Sequence, residues 1–241
     1  MIASYVSSYS GGRSENEDCA DFFHKDRNWC CVLADGLGGM RYGAEAAALV
    51  VKAVKESFFS DLLRADTLEQ TVLRAHEALC AYKRENRIGR GCYSTIALLY
   101  GTQEQIWWTH CGDSRVYLFR HGVLERQTKD HSVPQMLALC GEINPAEIRY
   151  HPDRNRLLSC LGLEDQLPQI AKVDSTTLEP GLALLLCSDG FWEPVTEQQM
   201  ENSLTQAQDV RAWIAQMNNI VAQLPQKETL DNYTAVGVWI S

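Results

Sequence analysis

Trp29–Gly39 reads WCCVLADGLGG. A run of buried-type residues, Cys31, Val32, Leu33 and Ala34, carries the chain to Asp35 at what looks like the end of a strand. A carboxylate in such a place costs several kcal/mol unless a cation or strong donors stand beside it. Gly36, Gly38 and Gly39 follow, giving a backbone able to turn with positive φ and to come close to a ligand. No lysine or arginine adjoins Asp35 before Arg41. A lone Asp-Gly after a strand is ordinarily just a turn. This one is set apart because the pattern recurs.

Asp113 follows IWWTHCG, Asp189 follows LALLLCS, and Asp231 stands just before the apolar run Thr234–Ile240. Each has a small or turn-forming neighbour: Gly36, Ser114, Gly190 and Asn232. Four acids at strand ends able to converge on one rim resemble a carboxylate cage. Such ligands are hard oxygens without histidine or cysteine, which favours Mg²⁺ or Mn²⁺ over zinc. Carboxylates crowded on one rim repel one another, and one ion does not neutralise four of them, so two or three ions is the natural number. Paired metals roughly 3.5–4 Å apart activate a bridging water for in-line displacement at phosphorus. Arg13, by itself an ordinary loop arginine, then has a use: its rigid fork matches two phosphate oxygens.

The remaining elements follow from periodicity. Residues 2–9 alternate loosely and predict a first strand, and Cys31–Ala34 a second. Between them GGRSENEDC (11–19) is polar and ends on the acidic pair Glu17 and Asp18. Helices are predicted over Ala44–Phe59 and over Thr67–Asn86, the latter with Thr67 and Gln70 as a capping box. Past Gly89 and Gly91 come short strands at Ser94–Tyr100, Gln105–His110, Arg115–Arg120 and Val123–Gln127. Ser132–Cys140 reads as a short helix with Ser132 as cap, Pro134 in its first turn and Gly141 as stop. Glu142–Asn155 is polar, with Pro145 and Pro152 around one amphipathic turn, and suits a surface flap. Strands at Leu157–Cys160, Ile170–Ser175 and Leu182–Cys187, a helix at Val210–Leu224 and a strand at Thr234–Ile240 complete the chain. No repeat or Pro/Gly/Ser linker divides it, so one domain over 1–241 is expected. Grouped strands with paired helices favour α+β layering, helices 44–59 and 67–86 covering one face and the later helices the other.

Bulk properties narrow the function. A net charge of −9 argues against a nucleic-acid binder, which needs a basic face. The arginines that cluster at 84, 87 and 90 and at 149, 154 and 156 read as solvated surface. Nine cysteines, an odd number without any CxxC, point to a reducing compartment, and with it the cytoplasm. MIASYVSSYS lacks the layout of a signal sequence, and Leu182–Cys187 is too short to cross a bilayer.

Seven stretches in succession carry a resemblance: R-S-E-N-E-D (13–18), A-D-G-L-G-G (34–39), G-C-Y-S-T (91–95), C-G-D-S-R-V-Y (111–117), T-K-D-H-S (128–132), C-S-D-G-F-W-E (187–193) and D-N-Y-T-A-V (231–236). Together they resemble the PPM family, the metal-dependent Ser/Thr protein phosphatases of the 2C type, in its compact bacterial form. The resemblance implies a four-layer α-β-β-α sandwich of two antiparallel sheets flanked by helices. By motif match, Asp35 bridges the first two metals. Asp189 and Asp231 complete the first, and the Gly36 carbonyl with waters completes the second. Glu17 and Asp18 bind or orient waters of the second metal, Asp113 with Asp189 forms a weaker third site, and Arg13 holds the phosphate. Residues 142–155 fall where bacterial members carry a mobile flap. Asp130, His131 and Ser132 are expected to shape the short helix, and Trp107, Trp108, Trp192, Trp213 and Trp239 to be core.

Two positions depart from the family pattern. Leu37 replaces the histidine of eukaryotic relatives, so a metal-bound water is the expected donor to the leaving group. Glu193 replaces an aspartate, which bears on the third site. The implied activity is Mn²⁺- or Mg²⁺-dependent hydrolysis of phosphoserine and phosphothreonine by a monomer that inserts in no membrane. It would oppose a bacterial Ser/Thr kinase, with type VI secretion control as one setting by analogy. A pseudophosphatase that only binds phosphorylated partners is the alternative, but it requires damaged ligands, and none is damaged. A metal nuclease is disfavoured by the charge.

Overall fold

The structure is a computed structural model that describes residues 1–37, 42–225 and 227–241. In chain order the elements are strands β1 (Ile2–Tyr9), β2 (Asp18–Lys25) and β3 (Asn28–Asp35), then helices α1 (Gly43–Phe59) and α2 (Leu68–Glu85). Strands β4 (Ile96–Gly101), β5 (Gln105–Cys111), β6 (Arg115–Arg120) and β7 (Val123–Gln127) follow, then helix α3 (Val133–Leu139) and strands β8 (Asp174–Thr177) and β9 (Leu182–Cys187). Helices α4 (Asp189–Trp192), α5 (Glu197–Gln206) and α6 (Val210–Ala222) precede the final strand β10 (Tyr233–Ile240). The strands form two antiparallel sheets, ordered β1-β10-β9-β6-β7 and β2-β3-β4-β5-β8.

The unbroken apolar runs have a simple cause: the central strands are buried on both faces. On β3, Cys30, Val32 and Ala34 pack under α1 and α2. The intervening Trp29, Cys31 and Leu33 meet the other sheet. On β9, Ala183, Leu185 and Cys187 face α5 and α6 while Leu182, Leu184 and Leu186 fill the space between sheets. Three cores thus separate four layers, α-β-β-α, as the sequence predicts. Each fully buried Leu or Val contributes about 1.5–3 kcal/mol relative to exposure.

Several local expectations fail for identifiable reasons. Strand β2 was not anticipated, because DCADFFHK lies at a sheet edge and mixes charge with aromatics. Residues 157–160 form no strand; Leu157 makes a single bridge to Ser132. The strand expected at 170–175 lies further on, at Asp174–Thr177. The Thr67 hydroxyl donates to the Leu62 carbonyl and accepts from Arg64 N, closing the preceding turn and making no cap bond to α2. Short α4 and polar α5 were also missed. The amphipathic turn within 142–155 is a 3-10 turn, Pro145–Tyr150, that seats Ile148 in the core beneath α5 and α6.

Candidate active site

The register of β2 and β3 sets Asp18 directly across from Asp35. The backbone of Asp35 is clamped by the stretch that follows α2: Thr95 N donates to its carbonyl at 2.8 Å, Ser94 Oγ donates to the same oxygen at 3.0 Å, and Asp35 N donates to Thr95 Oγ1 at 3.1 Å. These bonds explain why G-C-Y-S-T accompanies the acids. Gly36 then donates to the Glu17 carbonyl at 2.9 Å. It does not adopt positive φ. Its need is for space, since a Cβ there would stand 2.1 Å from the Gly43 carbonyl oxygen. Gly38 and Gly39 lie outside the described residues.

The opposite wall comes from the other sheet. Asp189 opens α4, and its Oδ1 accepts from Gly190 N at 2.6 Å. Ser188 Oγ donates to Asp18 Oδ2 at 2.7 Å and accepts from Thr234 N at 3.0 Å, tying the two sheets together at their acidic end. Asn232, which the sequence marks only as a turn former, accepts from Glu17 N at 2.8 Å and donates to the carbonyls of Ser10 and Glu15, both at 2.9 Å. It pins the loop bearing Arg13 and Glu17 beside Asp231.

The fold therefore brings Glu17, Asp18, Asp35, Asp113, Asp189 and Asp231 near enough to feel one another's charge. Burial pushes Asp18 up to about 7 and Asp189 up to about 6, and neighbouring aspartates add to both. Burial lifts Asp35 well above the carboxylate range, reinforced by Asp18, Asp189, Asp113 and Asp231. Asp113 is likewise held well above it by burial and by Asp189 and Asp130. Glu17 is raised by burial, Glu15 and Asp231. Glu193, raised to about 7 by burial and Asp189, pairs with Arg154 at 2.9 Å.

Arg13 is half-exposed and forks onto Asp231, with Nε to Oδ1 at 3.1 Å and Nη2 to Oδ2 at 3.0 Å. With Asp231 held by Arg13 and Asp18 by Ser188, no three His, Cys, Asp or Glu side chains among the described residues stand spaced to hold an ion. The donor chemistry nevertheless fits a hard divalent cation. The cluster is all oxygen, lacks enough cations to neutralise it, and leaves Asp18 Oδ1 buried without a hydrogen bond. An ion held by Asp231 would require that side chain to turn away from Arg13.

Asp113 is positioned by a chain of buried contacts. Trp192 Nε1 donates to its carbonyl at 2.9 Å, the Arg115 guanidinium lies 3.4 Å from the centre of the Trp192 ring, and Asp130 grips Arg115 with bonds of 2.8 and 2.7 Å. Asp130 thus acts through Arg115, not on the helix start, which Ser132 caps as expected. A cleft of about 520 Å³ opens over Asp189 and Asp231, walled by Arg13, Arg149, Tyr150 and Arg154. Arg149 and Arg154 correct the reading of their cluster as solvated surface. Arg149 is half-buried, donating to the carbonyls of Trp192 and Glu193 at 2.6 and 3.0 Å and to Glu197 at 2.6 Å. Sequence could not separate them from the exposed Arg84, Arg87 and Arg90, because their partners lie some forty residues away.

Comparison with known proteins agrees with this geometry. The family profile described as Protein phosphatase 2C matches residues 10–233. Serine/threonine phosphatase stp of Listeria monocytogenes serotype 4b (strain F2365) is 32% identical over 201 residues, 80% of this chain and 78% of that protein. Serine/threonine phosphatase Stp1 from Staphylococcus aureus superposes with a TM-score of 0.89 at 25% identity, covering 100% of this chain and 96% of that one. The catalytic domain of the serine threonine protein phosphatase PstP, solved with two manganese ions, superposes with a TM-score of 0.81 at 26% identity, covering 100% and 99%.

Proposed function

This chain belongs to the protein phosphatase 2C family, and on that premise we propose that it is a serine/threonine phosphatase whose strand-end acids hold Mn²⁺ or Mg²⁺. The observation that carries the reading is the gathering of Asp18, Asp35, Asp113 and Asp189, two buried and two half-buried carboxylates from both sheets, at one end of the sandwich. Asp35, Asp189 and Asp231 are the proposed ligands of one ion. Asp35 and the Gly36 carbonyl, with Glu17 and Asp18 orienting water, serve a second. Asp113 with Asp189 is the proposed weaker third site, beside which Glu193 is already engaged by Arg154. Bound divalent ions supply the Lewis acidity that phosphate-monoester hydrolysis requires. The chain's own part is to orient and to bind. Arg13 exchanges Asp231 for two phosphoryl oxygens, a trade its bidentate geometry permits. Leu37 offers no proton, so no side chain at that position protonates the leaving group.

The test is hydrolysis of phosphothreonine peptides and p-nitrophenyl phosphate with Mn²⁺ or Mg²⁺, abolished by chelation. Asp35→Asn and Asp189→Asn should lower kcat/KM by more than the roughly 10- to 100-fold that loss of an outer-shell partner costs. Activity retained in either variant overturns the reading. A pseudophosphatase is not favoured, because no candidate ligand is replaced.

The proposed setting is a reducing cytoplasm, where a monomer opposes a Ser/Thr kinase, type VI secretion control being one such pathway. Nine free cysteines and the absence, among the described residues, of any helix long and apolar enough to cross a membrane support this setting. Residues 1–241 are proposed to act as one catalytic unit with 142–155 as its flap, since Arg149, Tyr150 and Arg154 line the cleft. A phosphoproteome unchanged by removal of the protein would contradict the kinase-opposing role.

A further inference from the structure

In a chain of net charge −9, four of the six lysines with described side chains have an acid within reach. Lys25 reaches Asp61, Lys52 reaches Glu56, Lys55 reaches Asp21 and Lys83 reaches Glu164. Of the lysines with described side chains, the remaining two, Lys129 and Lys172, reach no carboxylate, and both line the same cavity of about 330 Å³ on the flank of the sandwich, beside β5 and β6. Two carboxylates share its wall and both are taken: Asp130 by Arg115, and Asp174 by Arg126 Nη1 at 2.8 Å. Trp108, Val116 and Leu118 add apolar surface to the lining.

Two histidines sharpen the chemistry of this cavity. Their rings stack, with centroids 4.8 Å apart and planes at 11°. His110 Nε2 lies 2.8 Å from the Lys129 carbonyl oxygen, which accepts only, so Nε2 carries the proton. His110 Nδ1 is then an acceptor, and it is buried without a hydrogen bond. For His131 the order is reversed. Gly112 N donates to its Nδ1 at 3.2 Å, so the proton sits on Nε2, which has no protein partner among the described residues. The residues lining the cavity therefore carry two ammonium groups, one imidazole N–H and one buried, unpaired imidazole acceptor, beside the Arg126 guanidinium that Asp174 already engages.

That set complements a hydrogen phosphate, whose anionic oxygens accept from the three donors while its P–OH donates to His110 Nδ1. An ionised carboxylate has no proton for that nitrogen. We propose that this cavity is a second anion site, separate from the acidic cleft, that takes a hydrogen phosphate group, free or at the end of a small organic ester. Its floor adjoins the acidic end: both the ring and the backbone N–H of His131 are bonded to Gly112, the residue before Asp113.

The test uses the full chain with Arg13→Ala and a chelator, which removes the phosphate grip proposed for the acidic cleft. Inorganic phosphate is titrated by calorimetry and by nitrogen NMR of the imidazoles, then glycerol phosphate in the same way. Saturable binding that moves the His110 Nδ1 resonance is expected. It should weaken about tenfold or more in Lys129→Ala/Lys172→Ala, the loss of one charge-assisted hydrogen bond or more. Both lysines are exposed, so the double variant should fold, as circular dichroism would verify. Saturation by inorganic phosphate alone would assign the free ion, and saturation by glycerol phosphate an ester. Failure of both to shift His110 at millimolar concentration, or binding indifferent to the two lysines, would overturn the site while leaving the phosphatase reading untouched.

Discussion

Arg13 and Asp231 make each other's charge tolerable: the guanidinium fork neutralises one acid of a cluster that has too many. Removing the fork should therefore separate two functions. Arg13→Ala is expected to retain or tighten divalent-ion binding, because Asp231 loses its competitor, while kcat/KM for phosphopeptides falls. Calorimetry with Mn²⁺ beside steady-state kinetics checks the pair, and ion affinity falling in step with activity would contradict it. Asn232 is the less obvious residue. It is buried at 5% exposure and makes three bonds to the loop carrying Arg13 and Glu17. Asn232→Ala strands a backbone N–H and two carbonyls, so a stability loss of about 1–3 kcal/mol is expected in denaturant melts. Asn232→Asp should cost more, since it deletes the donor and adds an acid to an acidic end.

At the level of elements, strand ends aim the acids and close backbone contacts keep them aimed. Gly36 sits where β3 passes the start of α1, and a Cβ would fall 2.1 Å from a backbone oxygen that has no rotamer to yield. Gly36→Ala should therefore displace Asp35 as well as destabilise the fold. The expected signature is weakened Mn²⁺ binding in protein that is still folded at low temperature; wild-type affinity would refute it. Helices α1, α2 and α6 were legible because their apolar residues recur with helical spacing over three turns or more. Strand β2 and helix α5 were not: one is a mixed-charge edge, the other a polar surface helix with Met200, Ser203 and Leu204 as its buried residues. Tertiary pairing stabilises both more than their own composition does.

Across the whole molecule, the acidic end makes stability depend on pH. Asp18 and Asp189 are raised to about 7 and about 6, and Asp35 and Asp113 well above the carboxylate range, so these acids bind more protons in the folded chain than in the unfolded one above pH 4. Stability then falls as pH rises. The metal-free protein is expected to be most stable near the ordinary carboxylate pKa of about 4 and to lose stability up to and past pH 7. Divalent cations should reverse this loss at neutral pH by occupying the same oxygens. Thermal melts across that range, with chelator and with Mn²⁺, provide the check. A chelated protein whose Tm rises from pH 4 to 7 would show that these acids do not meet as described.

By itself the sequence determined that apolar strands would be covered on both faces and would end in acids, because both facts are written in consecutive residues such as Cys31–Asp35 and Leu182–Asp189. It also carried, in seven ordered stretches, the family and hence the sandwich. Which groups hold those acids was decided only in three dimensions. Ser188 meets Asp18 across 170 residues, Asn232 meets Glu17 across 215, and Arg13 meets Asp231 across 218. No local periodicity encodes a hydrogen bond between positions so far apart; only the packing of two sheets brings the partners within 3.1 Å.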